Sequence, residues 1–238
     1  MAAKVHPNLA VPSLIQPPMA PPAAMAAGDS VVMKKAAAAA AAAGGDVVLT
    51  VWRKSLLFNC RGFTVFDASG DLVYRVDSYA ADSRAEVVLM DAAGVPVLTV
   101  RRKKAIGSQL GLGGDQWLVH PGEETRLPPL YAVKRTPQYV RGGGSGSGKT
   151  MAHVAPCGVA LGAGGGYEIE GSYLRRSCAV YDARRRAVVA EVQAKEAVGT
   201  DVFRLVVRPG MEVSVAMAVV LALEQMFGKP SLLRSWSS

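Results

Sequence analysis

The segment Gly143–Thr150, GGSGSGKT, fits the phosphate-loop pattern GxxxxGK[ST] in full. In that chemistry, backbone N–H groups flanked by glycines such as Gly143 and Gly148 cradle a phosphate. Lys149 would neutralise the terminal phosphates and the Thr150 hydroxyl would hold magnesium. The loop works only between a strand and a helix, because the helix N-terminus completes the anion site. Pro137 interrupts the approach, and MAHVAPCGVALGAGGG after Thr150 carries Pro156 and repeated glycines that cannot sustain a long helix. A Gly/Ser loop meeting a glycine-tolerant pattern by chance is the better reading, and no nucleotide cofactor is expected.

The stronger candidate is the basic cluster Arg101-Arg102-Lys103-Lys104, which ends a predicted strand and enters the loop before Trp117. Clustered cations attract phosphates on lipid headgroups or nucleic acid, at about 1 kcal/mol each near an anionic membrane. The same run also suits a solvated barrel rim that discourages edge-to-edge pairing. Arg184-Arg185-Arg186 falls in a hairpin turn and reads as a solvated tip. His6, His120 and His153 are scattered. His153 and Cys157 are spaced for one helix face, but Pro156 lies between them and no third group orients them. Neither a Cys–His nucleophile nor a zinc site is expected. With the carboxylates mostly in turns, no acid/base pair can be nominated, and the chain reads as a non-enzyme.

Composition narrows the setting. The chain of 238 residues is half apolar, enough for a sizeable core, and its formal charge is +8. Residues 1–45 supply only Lys4, Lys34, Lys35 and Asp29, so the basic excess belongs to the folded part. Cys60, Cys157 and Cys178 form no CxxC pair and read as buried or half-buried thiols in a reducing compartment. No apolar signal core flanked by basic residues opens the chain, so the expected location is cytoplasmic.

The elements that would position these residues are strands. Residues 1–45 are Pro-rich and then Ala-rich up to Gly44-Gly45, with too few bulky side chains to pack, and are expected to be a disordered tail. From Val47–Trp52 onward the pattern is β-branched and apolar. A unit then repeats: FTVFDASGDLVYRV from Phe63 and VVLMDAAGVPVLTV from Val87, with a weaker copy, CAVYDARRRAVVAEV, from Cys178. Each reads as a hairpin around Asp67, Asp91 or Asp182, since Asp can accept bonds from the backbone that follows it and Gly tolerates positive φ. Trp117–His120, Tyr131–Lys134, Tyr167–Glu170 and Phe203–Val207 are further strands, giving about a dozen in all. Gly142–Gly148 and Gly162–Gly166 read as long loops between strands.

One segment is strongly helical. EVSVAMAVVLALEQMFG, Glu212–Gly228, follows a Pro209-Gly210 break and ends before Pro230. From Val213 to Leu223 only Ser214 is polar, so the helix is apolar on every face and must be enclosed by protein or lipid. At helical rise Val213–Phe227 spans about 22 Å, short of the roughly 30 Å of a hydrocarbon core. The expectation is a helix threaded through a β-barrel, with a membrane anchor as the lesser alternative.

LTVWRKSLLFNCRGFTVFDASGDLVYRVDSY, EVVLMDAAGVPVLTVRRKK and the apolar C-terminal helix together resemble the plant LURP-one-related family. The resemblance covers Asp46 to about Leu232. It implies a tubby-like, mainly β fold: about twelve strands in a barrel enclosing the C-terminal helix, related to tubby domains and phospholipid scramblases. It also implies a role in plant defence. In tubby-like domains a basic strand end binds a phosphoinositide headgroup, and the placement of Arg101–Lys104 looks similar. The chain departs from the family in its alanine run and in the glycine-rich stretch Arg141–Gly166, both expected to lie outside the strands.

The expected organisation is a tail at 1–45, one domain at 46–232 and a short tail at 233–238. The leading functional reading is a non-enzymatic binding or tethering module in plant defence. Its partner would be an anionic lipid headgroup, peripheral to the plasma membrane, or a signalling protein. A nucleic-acid-associated regulator is disfavoured, because no recognition helix or aromatic-studded sheet motif is present.

Overall fold

Alternation of inward and outward residues builds each strand. In Val47–Trp52 (β1), Leu49 and Val51 are buried while Val48 stays exposed. The same rule, relaxed where Thr64 and Thr99 are buried as well, gives Arg61–Phe66 (β2), Leu72–Ser78 (β3), Glu86–Asp91 (β4), Pro96–Arg102 (β5) and Gln116–Pro121 (β6). Tyr131–Arg135 (β7), Thr150–Pro156 (β8), Tyr167–Ser172 (β9), Ser177–Asp182 (β10), Val188–Ala194 (β11) and Val202–Val207 (β12) complete the set. Val213–Phe227 is the helix, α1. The computed structural model describes residues 44–57, 60–78, 85–103, 115–123, 126–136, 150–158, 165–195 and 199–228. The expected tails, 1–45 except Gly44 and Gly45, and 233–238, lie outside the described residues.

The strands pair antiparallel in chain order, and β12 closes the barrel on β1 from Val47 opposite Val207 to Trp52 opposite Val202. About eight strands already make a barrel that side chains alone can fill, so a twelve-stranded one needs a filler. α1 is that filler. Every residue from Val213 to Leu223 is buried, on all faces of the helix, in one core with Leu49, Val65, Leu89, Val100, Ile169 and Leu205. Both the mainly β architecture and the enclosed helix agree with expectation.

The repeated aspartates shape the turns as read. Asp67 Oδ1 accepts from the N–H groups of Ser69 and Asp71 at 2.9 Å. Asp91 Oδ1 accepts in the same way from Ala93 and Val95 at 3.0 and 2.9 Å. Gly70 and Gly94 then take positive φ at +90° and +85°. In the weaker copy Asp182 Oδ1 accepts from Arg184 and Arg185 at 2.9 and 2.8 Å. That turn is one residue longer, and Arg186 takes the positive φ, at 55°. Ion pairs from Arg186 to Glu168 and Glu170 hold this less favourable conformation.

One expectation fails. The stretch Arg141–Gly166 is not wholly outside the sheet, because Thr150–Pro156 is β8, paired with β7 and β9. Its inward residues Ala152 and Val154 are buried, but the glycines on either side and Pro156 masked so short a strand signal.

Antiparallel order gives the barrel two distinct ends. The upper end gathers the connections β1–β2, β3–β4, β5–β6, β7–β8, β9–β10 and β11–β12. The lower end gathers the others and the entry into α1, so the helix points its C-terminus upward.

Candidate anion-binding end of the barrel

The basic cluster lies on the upper end. Arg101 and Arg102 finish β5 and Lys103 follows, all exposed, while Lys104 lies outside the described residues. The sheet register matches two of them with carboxylates: Arg101 Nε is 3.5 Å from Glu86 Oε2, and Arg102 Nη2 is 2.6 Å from Asp115 Oδ1. Backbone bonds fix this corner, from Arg102 N–H to Ala85 O at 2.7 Å and from Lys103 N–H to Gln116 O at 2.9 Å. Lys103 makes no ion pair among the described residues.

Thr150, the last residue of the phosphate-loop match, opens a strand where that chemistry needs a helix N-terminus. Gly143, Gly148 and Lys149 lie outside the described residues. His153 is exposed on β8, with Cys157 just beyond the strand end. His120 is buried, with Nδ1 2.9 Å from the Leu127 carbonyl, and anchors the β6–β7 connection. Cys60 and Cys157 are half-buried, and burial pushes the Cys178 thiol up to about 12. His6 lies outside the described residues.

Sequence reading missed the centre of the upper end. There Glu224, in the last turn of α1, receives Arg53 Nε at 2.7 Å on Oε1 and Arg176 Nη2 at 3.5 Å on Oε2. The Tyr173 hydroxyl donates to Oε2 at 3.1 Å. Burial, and then the Glu224 carboxylate, hold the Tyr173 phenol well above its ordinary pKa, so it stays a neutral donor. Arg176 is buried between the Tyr173 and Phe203 rings, 4.3 and 4.4 Å from their centroids. A carboxylate near a helix C-terminus is opposed by the macrodipole, so it needs cations. An acid ending an apolar helix was the available signal, but nothing in the sequence said which arginines would reach it.

The same side chains tie three connections together. Arg53 N–H donates to Asp201 O at 2.7 Å, and Arg176 Nε donates to Thr200 O at 2.9 Å. The β1–β2, β9–β10 and β11–β12 connections are therefore braced on one carboxylate.

Charge at the upper end is unbalanced. Among the described residues there, Asp77 pairs with Arg75, Glu86 with Arg101, Asp115 with Arg102, Asp201 with Arg53, and Glu224 with Arg53 and Arg176. Lys54, Arg61, Lys103, Lys134 and Arg175 are exposed and have no ion-pair partner among the described residues. The charge left over is positive.

The fold and this end define a class: a tubby-like barrel wound round its own C-terminal helix, with one cationic rim. Comparison with known proteins narrows it. A family model described as LURP-one-related matches residues 47–224. Protein LURP-one-related 8 of Arabidopsis thaliana is 45% identical over 188 residues, which cover 76% of this chain and 87% of that protein. Protein LURP-one-related 17 of the same plant is 37% identical over 192 residues, covering 75% and 82%. An X-ray structure of an Arabidopsis thaliana protein superposes with a TM-score of 0.52 at 26% identity, covering 75% of this chain and 90% of that one. The chain belongs to the LURP-one-related family.

Proposed function

We propose that this domain is a non-catalytic binding module in plant defence that docks on phosphate-bearing, anionic partners, lipid headgroups first among them, through its upper end. The observation that carries the reading is the set of exposed cations at that end, Lys103 among them, that have no carboxylate partner among the described residues while every described acid there is matched. Near an anionic bilayer each such cation is worth about 1 kcal/mol, so a handful suffices for reversible attachment. Support for a non-catalytic role comes from the described histidines and thiols: His120 serves a backbone carbonyl, His153 faces solvent, and the Cys178 thiol stays protonated. No helix among the described residues is long and apolar enough to cross a membrane.

Sedimentation with phosphatidylcholine vesicles, with and without a phosphoinositide, tests the reading. The expected result is co-pelleting only with the phosphoinositide, lost at high salt and weakened by Lys103→Glu with Arg175→Glu. Absence of pelleting at low salt refutes it. Steeply salt-dependent binding to duplex DNA without any vesicle binding would move the assignment to a nucleic-acid partner.

A further inference from the structure

The upper end carries an apolar feature that charge alone does not explain. Leu56 and Leu57, adjacent in the β1–β2 connection, are 51% and 39% exposed. Single exposed leucines are ordinary on protein surfaces, but here the backbone holds a pair of them outward. Ser55, just before them, is buried, and its hydroxyl donates to Asp77, which Arg75 in turn grips. The same Ser55 oxygen accepts the Leu57 N–H at 3.0 Å. The Thr64 hydroxyl donates to Lys54 O at 2.7 Å, and the Arg53 N–H to Asp201 O at 2.7 Å. With Ser55 fixed in the interior, the two leucines cannot fold back beneath it.

A third exposed leucine stands on the same end. Leu174, 46% exposed, lies in the β9–β10 turn between buried Tyr173 and exposed Arg175. Both connections are braced on Glu224, through Arg53 and Arg176. The apolar tips therefore rest on one rigid base, beside Lys54, Arg61 and Arg175, which have no carboxylate partner among the described residues. Apolar tips on an end with cations that lack ion-pair partners among the described residues match an anionic bilayer, where side chains enter the acyl boundary while lysine and arginine stay at the phosphates.

We propose that Leu56 and Leu57, with Leu174 on the same end of the barrel, form a preformed apolar surface that enters an anionic lipid bilayer. The idea rests on the docking reading above and adds a distinct contact: apolar insertion rather than charge capture.

The test compares Leu56→Ser/Leu57→Ser with the wild-type chain on phosphatidylcholine vesicles containing a phosphoinositide. It adds thermal denaturation, velocity sedimentation and binding to the soluble anion inositol hexakisphosphate. Because both side chains are exposed, the variant is expected to melt as wild type does. Its vesicle affinity should fall about ten- to a hundredfold, the size expected for withdrawing two part-buried leucines from hydrocarbon, with soluble-anion binding kept. Vesicle affinity equal to wild type overturns the insertion and leaves charge docking standing. A wild-type chain that binds neither vesicles nor the soluble anion overturns both readings. A wild-type dimer that the substitutions dissolve, with vesicle binding unchanged, makes the leucines a contact between two copies and also overturns the insertion.

Discussion

The two ends of the barrel solve the same problem, capping a closed sheet around a helix, by opposite means. At the lower end short turns close on their own aspartates, with Asp67, Asp91 and Asp182 each accepting backbone N–H groups within four residues. The cations Arg186 and Arg208 there pair with Glu168, Glu170 and Glu191. At the upper end order comes from contacts distant in sequence, Arg53 and Arg176 meeting Glu224, and the described cations outnumber the acids, whereas exposed apolar side chains occur at both ends, Leu56, Leu57 and Leu174 above and Val95 and Leu127 below. The helix contributes to the contrast, with Glu212 at its positive N-terminus below and Arg53 and Arg176 about its negative C-terminus above. Local caps order one turn at a time, whereas the brace on Glu224 ties three connections together.

The sharpest way to break this comparison is at the brace. Glu224→Ala leaves Arg176 buried without its carboxylate and is expected to cost about 3–5 kcal/mol in urea unfolding. A cost no greater than that of an exposed substitution would deny the upper end its central support.

Alkaline pH probes the interior between the two ends. The Cys178 thiol is held at about 12 in the fold, by burial, against an ordinary 9.0. Tyr74 is held at about 12 against 10.0, by burial first and then by Glu212 and Asp91. Well below pH 9 both groups are protonated folded or unfolded, and stability is unaffected. Above it the unfolded chain loses these protons first, so stability falls as pH climbs toward 12. The Cys178 share is on the order of 2–3 kcal/mol. Cys178→Ala should remove the part of the decline that starts near pH 9, read from unfolding curves across that range.

Smaller effects are expected at the lower turns. Asp91→Ala strands N–H groups beneath a buried side chain and should cost about 1–3 kcal/mol, whereas Asp67→Ala, in a more exposed turn, should cost about 0.5–1.5 kcal/mol. Equal costs would mean that the repeated turns do not differ in burial as described. The smallest stability change belongs to Lys103→Glu with Arg175→Glu, within about 0.5 kcal/mol by the same measurement, since neither side chain is ion-paired among the described residues.

How much of this was legible in advance follows the range of each interaction. The turns around Asp67 and Asp91 could be read because each aspartate acts on residues two to four positions away. β8 could not, since Thr150–Pro156 owes its conformation to Tyr131–Arg135 and Tyr167–Glu170 rather than to its own composition. Arg101 and Arg102 were visible as a charge cluster, but not their partial neutralisation by Glu86 and Asp115, which depends on strand register.

By itself the chain determined that a helix too apolar for water and too short for a bilayer had to be wrapped in strands, because burial of Val213–Leu223 outweighs every local preference. It determined the hairpins as well, through side chains that bond their own backbone. Only tertiary structure decided that Arg53, Tyr173 and Arg176 converge on Glu224, and that Leu56 and Leu57 share an end with cations that have no ion-pair partner among the described residues. Those groups lie far apart along the chain, and closing the barrel is what brings them together.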